Sequence, residues 1–234
     1  MYSKPGINSI IPSAPIIYED RDLRVYDKPA NVSLLRDRSG AACLWDELKA
    51  RGEKPFLVHR LDKGTSGVLL VARNQTSQRT LTKAFAERHV HKFYLAKVVG
   101  HFPTGRTFKI DLPLCKGRKS RYRVAGDRAD IRLQGSRFTV TQNRDGVAAV
   151  TLARCLQHTE RHSLMMLKLI TGRSHQIRVH LSWLHHPIVG DHLYGKPDDP
   201  AQAASRLMLH CRRIVVPGWG SFSVGGVDFQ TASH

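Results

Sequence analysis

Between Phe56-Leu57-Val58 and Val68-Leu69-Leu70-Val71, two apolar runs with the composition of buried strands, the chain carries His59, Arg60, Leu61, Asp62, Lys63, Gly64, Thr65, Ser66 and Gly67. Ionisable side chains, two hydroxyls and two turn-permissive glycines interrupt what would otherwise be continuous core. Taking Asp62 out of water beside Arg60 costs several kcal/mol per ion, about what good pairing returns. Such a pair is better evidence for a chemical site than for a stability device, and Asp62 is the first candidate for a functional carboxylate. A second concentration of chemistry lies at Thr171-Gly172-Arg173-Ser174-His175-Gln176-Ile177-Arg178. Ser174 is expected to cap a helix there, with Ile177, Leu181 and Leu184 turned inward. Arg178 adjoins that stripe, so its guanidinium can be held partly buried and rigid, the arrangement suited to pairing with a carboxylate. With Arg173 and His175 it makes the helix start electropositive, and the helix dipole adds to this.

The elements that must position these groups follow from pattern. Ile16-Ile17-Tyr18 and Leu23 to Tyr26 read as strands joined by a charged turn. Asp27-Lys28-Pro29-Ala30-Asn31 reads as a defined turn in which Asn31 can take a left-handed conformation. A short helix over 41–51 presents Leu44 and Leu48 on one face. A second, capped by Thr76 or Ser77, runs to about Arg88 with Leu81 and Phe85 inward. In the strand from Phe93 to Val99, alternation places Tyr94, Ala96 and Val98 on one face, so Tyr94 is either a core aromatic or a ring offered to a ligand. Residues 101–137 are weak in periodicity and read as a loop or irregular hairpin. Val147 to Leu156 and Leu164 to Ile170 read as paired strands. Between them His158-Thr159-Glu160-Arg161-His162 superficially resembles the zinc-protease helix motif, but its glutamate is one place late and its setting is a hairpin turn, so no metal site is expected. His186 to Gly195 is turn-rich, Leu207 to His210 and Arg213 to Val216 supply further core, and 218–234 forms a loop and edge strand. Residues 1–15 are expected to be an extended arm and 16–234 one domain, without internal repeats or a linker.

With 234 residues and 41% hydrophobic content the chain can bury a sizeable core. Its formal net charge of +18 exceeds what solubility requires and points to a polyanionic partner. The excess is uneven: Lys116, Arg118, Lys119, Arg121, Arg123, Arg128, Arg132 and Arg137 are opposed only by Asp127 and Asp130. The first five of these are the candidate phosphate contacts. Without an amphipathic helix, a lipidation motif or an apolar run of membrane-spanning length, nucleic acid is a better partner than a lipid surface. Cys43, Cys115, Cys155 and Cys211 are widely spaced and no secretory signal is evident. The expectation is a reducing, cytoplasmic setting without disulfides or a zinc ribbon, and a monomer.

Taken in order, these stretches resemble the RluA-type pseudouridine synthases. The resemblance rests on His59 to Gly67, on Asp27-Lys28-Pro29-Ala30, on the strand carrying Tyr94 and on Thr171 to Leu181. It continues through His186-Pro187-Ile188-Val189-Gly190-Asp191 with Tyr194-Gly195 and ends at Leu207-Met208-Leu209-His210, covering roughly residues 16–217. Two positions depart from the pattern: Asn31 where glycine is usual and Cys211 where alanine is usual, both tolerable replacements. The resemblance implies an α+β catalytic domain with a mostly antiparallel, curved mixed sheet flanked by helices, in the short form without an S4 domain. It implies an isomerase that breaks the N-glycosidic bond of a particular uridine in ribosomal or transfer RNA, turns the uracil and rejoins it through C5 to C1′, with no cofactor or metal. By motif position Asp62 would be the catalytic carboxylate, Arg178 its ionic partner and Tyr94 the ring that packs on the uracil. Arg60 would hold the nucleotide out of the stack and Ile177 would line the pocket, with His59, Thr65, Arg173 and His175 around the substrate.

Residue chemistry agrees with those roles. An aromatic platform holds an unstacked base at roughly 1 to 3 kcal/mol, and extruding the nucleotide costs less from a loop or bulge than from a duplex. A purely RNA-binding or ribosome-assembly protein would need only the charge; Asp62, Tyr94 and Arg178 together argue against it. A kinase catalytic loop is set aside, because Leu61 separates Arg60 from Asp62 and Gly67 stands where the metal-binding asparagine belongs.

Overall fold

In the computed structural model, which describes residues 13–37, 40–118, 121–142, 145–196, 198–225 and 229, the apolar runs become strands of one large sheet. The first seven strands are β1 (Ile16–Glu19), β2 (Leu23–Lys28), β3 (Phe56–Leu57), β4 (Ser66–Ala72), β5 (His91–Val99), β6 (Thr107–Asp111) and β7 (Leu114–Lys116). They are followed by β8 (Tyr122–Val124), β9 (Ile131–Gln134), β10 (Arg137–Val140), β11 (Val150–His158), β12 (His162–Leu169), β13 (Leu209–Val216) and β14 (Gly220–Ser223). Three helices accompany them: α1 (Leu44–Ala50), α2 (Gln75–Ala86) and α3 (Gln176–Trp183). The sheet runs β1-β2-β4-β13-β5-β12-β11-β6-β10-β9, with β3 on β4, β14 on β13, and β7–β8 as a separate hairpin. All pairings are antiparallel except β4 with β13 and β6 with β10, as the resemblance implies. Among the described residues no helix is long and apolar enough to cross a membrane.

β4 is buried along its whole length, which is why it reads as a continuous apolar run rather than an alternation. Across the middle of the sheet Lys28, Gly67, Cys211 and Tyr94 stand opposite one another on β2, β4, β13 and β5. β4 and β13 approach so closely there that a Cβ on Gly67 would lie 2.3 Å from the Cys211 carbonyl oxygen, at a φ of +110°. Space and backbone both demand glycine. Cys211 is fully buried and Asn31 sits at φ 64°, so both departures from the family pattern are accommodated as expected.

A buried polar network fixes the start of α3. The Gln176 Oε1 accepts from Thr171 Oγ1 at 2.7 Å and from the Arg173 N–H at 3.0 Å. Its Nε2 donates to the Val150 carbonyl at 3.0 Å and to Thr151 Oγ1 at 2.9 Å. Thr151 passes its own proton to His180 Nδ1 at 3.0 Å, and His180 Nε2 donates to the Leu112 carbonyl at 2.9 Å. Each of these buried groups has a partner, so the network specifies one arrangement of β11, α3 and the end of β6.

This network also corrects an expected cap. Ser174 does not cap α3; His175 occupies that place in a left-handed conformation with φ 55° and without a side-chain cap, while the Gln176 side chain ties the preceding Arg173 N–H. α2 likewise starts from Asn74 rather than Thr76 or Ser77. The Asn74 amide accepts the Ser77 N–H at 2.9 Å through its oxygen while its nitrogen donates to Asp22 at 2.7 Å. The basic segment is not a loop: β6 to β10 lie within or beside it, because Phe108, Ile110, Leu112, Leu114 and Val124 are buried at alternating positions beneath the charges.

Gly67→Ala is expected to destabilise the fold by about 3 kcal/mol or more, read as a lower urea midpoint. A second expectation concerns pH. Burial pushes His59 down to about 3 and His180 and His210 to about 4, against an ordinary 6.5. Unfolded, these imidazoles bind protons below 6.5, so stability is complete above that pH and falls as pH drops toward 4. The loss is up to about 1.4 kcal/mol per pH unit for each histidine. Urea midpoints that stay constant from about pH 7 to 5 would contradict this.

Candidate active site

Asp62 lies in the connection between β3 and β4, on a turn closed by the Thr65 N–H donating to the Asp62 carbonyl at 3.0 Å. Three anchors hold it. Leu61 is buried in the core. His59 stacks on Phe85 of α2 with ring centroids 4.8 Å apart, and its Nε2 accepts the Leu70 N–H at 2.9 Å. Lys28, fully buried, donates to the Pro29 and Val32 carbonyls at 2.8 Å and to the Lys63 carbonyl at 3.2 Å. Burial lowers Lys28 to about 8, with the Asp62 charge opposing. Its ammonium thereby ties the 29–32 turn to the backbone beside the carboxylate.

Arg178 approaches Asp62 from α3, with Nη1 3.6 Å from Oδ2. Its closer partner is Asp191: Nε to Oδ2 and Nη2 to Oδ1 are both 2.8 Å. Asp191 is buried, and its Oδ1 also accepts the Leu193 and Tyr194 N–H groups at 3.0 and 3.1 Å. A guanidinium forked on one carboxylate cannot turn, so its remaining nitrogen is held toward the other. Tyr194 completes the enclosure, its ring 5.1 Å from the Arg178 guanidinium. Its hydroxyl accepts the Tyr122 N–H at 2.9 Å and shares a hydrogen bond with His175 Nδ1 at 2.8 Å. The other ring nitrogen of His175, Nε2, faces Asp62 Oδ2 at 3.9 Å. Burial holds the His175 pKa below its ordinary value, Asp62 opposing and Arg178 adding to the effect, so the imidazole is neutral at pH 7.

Beside the carboxylate is a slot of about 80 Å³ whose wall includes Thr65, Lys92, Tyr94, Gln176 and Ile177. Burial and the Cys211 thiol keep the Tyr94 hydroxyl well above its ordinary pKa, so the ring is a neutral phenol. Cys211 is itself pushed up to about 12 by burial and is unreactive packing. The slot shares Arg60 and Asp62 with two larger cavities, one of about 640 Å³ toward α2 and one of about 670 Å³ toward 31–37 and 190–207.

The structure thus brings Asp62, Arg178, Tyr94, Ile177, Thr65 and His175 together, with Arg60 and Arg173 on the exposed margin. Arg60 is not the ion partner of Asp62. Leu61 takes the inward position between them, Arg60 points to solvent, and the groups facing the carboxylate are Arg178 and His175. His59 turns its ring to Phe85 and lines the α2-side cavity rather than the slot. Lys116, Arg118, Arg121 and Arg123 are exposed on or between β7 and β8, a hairpin docked beside the site through Tyr122; Lys119 lies outside the described residues. Sequence reasoning assigned no role to Lys28, Asp191 or Tyr194. The available signal was an aspartate and a tyrosine within the ordered motif His186 to Gly195, and a lysine at the start of the Pro29 turn. Among the described residues no group of three or more His, Cys, Asp or Glu is placed to hold a metal ion.

Comparison with known proteins places this geometry in context. The family model described as RNA pseudouridylate synthase matches residues 22–183. An uncharacterised RNA pseudouridine synthase of Zymomonas mobilis is 36% identical over 208 residues, covering 86% of each chain. The ribosomal large subunit pseudouridine synthase D of Xanthomonas campestris is 36% identical over 188 residues, covering 77% of this chain. This chain spans 51% of that relative's length. The structure of human RNA pseudouridylate synthase domain containing 4 superposes with a TM-score of 0.74 at 26% identity, over 92% of this chain and 89% of the other.

Asp191→Asn would leave a buried guanidinium without its bidentate partner. The expected cost is about 3 kcal/mol of stability, since removing one member of a buried pair strands the other. Urea unfolding measures it, and a loss within about 0.5 kcal/mol would mean that Asp62 alone suffices to hold Arg178.

Proposed function

The chain belongs to the RNA pseudouridylate synthase family, and from that premise we propose that it isomerises a specific uridine of RNA to pseudouridine, with Asp62 as the catalytic carboxylate. The observation that carries this reading is the setting of Asp62. Its Oδ2 faces Arg178 at 3.6 Å and His175 at 3.9 Å, at the edge of a slot walled by Tyr94 and Ile177.

The reaction breaks N1–C1′, forms C5–C1′ and moves one proton from C5 to N1, so atoms and electrons balance without a co-reactant. Asp62 supplies the negatively charged oxygen at the reacting nucleoside, and the fixed Arg178 offsets part of the cost of keeping that charge out of bulk water. Tyr94 offers its neutral ring to the uracil, and Ile177 closes the wall opposite solvent. Arg60, free at the margin, takes the place the extruded nucleotide leaves in the stack. Lys116, Arg118, Arg121 and Arg123 meet phosphates along the β7–β8 hairpin, which makes affinity salt-dependent. A slot this small accepts a base only after extrusion, so the target lies in a loop or bulge. Ribosomal RNA is the first substrate to test, since the Xanthomonas relative is named for the large ribosomal subunit; transfer RNA is the second.

The test maps pseudouridine across total RNA from cells lacking the protein, complemented with wild type or Asp62→Asn. One or a few sites should vanish and return with wild type only. Purified Asp62→Asn should isomerise that RNA slower by about three orders of magnitude or more while retaining affinity. Full restoration by Asp62→Asn would remove the catalytic assignment and leave a non-catalytic RNA-binding protein.

A further inference from the structure

The α2-side cavity, about 640 Å³, shares Arg60, Asp62, Lys92, Gly172 and Arg173 with the slot, so the two adjoin. Its size falls within the range of sites that take small-molecule ligands. Its charge is one-sided: Arg60, Arg88, Lys92 and Arg173 line it, and Asp62 at the shared edge is its single carboxylate. Among the described residues, neither Arg60, Arg88 nor Lys92 has a carboxylate partner; Lys92 lies 5.7 Å over the Phe85 ring. The opposite cavity differs. There three of the five lining arginines and lysines are matched, Arg36 by Asp46 at 2.7 Å, Lys63 by Asp37 at 3.3 Å and Arg178 by Asp191 at 2.8 Å, while Arg206 donates to Ser66 Oγ at 3.0 Å and Arg60 is shared with the slot.

Local structure sets the two unassigned cations in place. Lys92 precedes Tyr94 by two residues on β5 and so shares its face, at the wall between slot and cavity. Gly172 stands against it: a Cβ there would lie 2.9 Å from Lys92 Nζ, so the missing side chain leaves the ammonium room. Burial lowers the Lys92 pKa, a cost that an anion in the cavity would offset. Arg88 follows the last turn of α2 at φ 60°, a conformation glycine adopts more cheaply, yet the position holds an exposed arginine at the lining of the cavity.

We propose that this cavity is a subsite for the phosphodiester of the nucleotide adjoining the extruded uridine, with Arg88 and Lys92 as its phosphate-binding residues. The proposal rests on the RNA reading above and deepens it: the bound strand leaves the slot toward the C-terminal end of α2, on the side where positive charge is uncompensated.

Octauridylate binding to the full chain, followed by fluorescence anisotropy over a series of salt concentrations, tests this. Arg88→Gly and Lys92→Met should each weaken binding about 5- to 10-fold at low salt and reduce the slope of log K against log salt by about 0.7, the value for one phosphate contact on a single strand. Arg213→Gln, an exposed charge on β13 outside these cavities, should leave the slope unchanged. Because Arg88→Gly relieves a positive φ, its thermal midpoint should be equal or higher, which separates lost binding from lost folding. Wild-type slopes in both variants, or no binding of octauridylate by the wild type, would overturn the subsite. Failure of the isomerase reading would show differently: reduced slopes here together with full restoration of modification by Asp62→Asn.

Discussion

The fork between Arg178 and Asp191 is the interaction on which the rest of the site depends. Two opposite charges are withdrawn from water there, and such a pair returns about what its desolvation costs, so it adds little to net stability. What it does is geometric. Asp191 occupies two of the three guanidinium nitrogens, the backbone N–H groups of Leu193 and Tyr194 hold Asp191, and the third nitrogen is left facing Asp62. The 188–195 connection thereby becomes part of the site although it supplies nothing to the slot wall. Tyr194 extends the same logic to His175, whose ring it orients, and to the β7–β8 hairpin through the Tyr122 N–H.

That fork is useful only if α3 and the Asp62 turn are themselves fixed. On one side the Gln176–Thr151–His180 network satisfies every buried polar group it contains and orients α3 against β11. On the other, Lys28 and His59 fasten the turn through backbone groups, and Gly67 lets β4 and β13 close to contact. Precedence in the design goes to preorganisation: partners are in place before a substrate arrives, so little reorganisation accompanies charge development. Buried neutral histidines and a buried lysine are destabilising elements that this rigidity requires.

Charge is organised on a different principle. Within the site Arg178 is answered by two carboxylates, whereas among the described residues Lys116, Arg118, Arg121 and Arg123 of the β7–β8 hairpin and Arg60, Arg88 and Lys92 of the α2-side cavity have no ion-pair partner. An excess of +18 spread evenly would only raise solubility. Concentrated on the two flanks of a small slot, it describes a path for a polyanion that must lay down its backbone while surrendering one base.

Much of this was legible in the chain. Asp62, Arg178 and Tyr94 stood out because residue type and ordered motifs are local properties, and the strands around them announced themselves by apolar runs. Burial alternation beneath the arginines of 107–124 was hidden, since the charges dominate the composition of that segment. Capping was misread at both helix starts, since Asn74 rather than a hydroxyl caps α2 and α3 begins from His175 without a side-chain cap. The sequence by itself determined which groups could do the chemistry and that a polyanion would meet them. Tertiary structure alone decided that Asp191 rather than Asp62 takes the Arg178 fork, that Arg60 faces solvent, and that Lys28 and His59 serve the turn. Those outcomes depend on distances between segments far apart in the chain, and no local pattern encodes a distance that only folding creates.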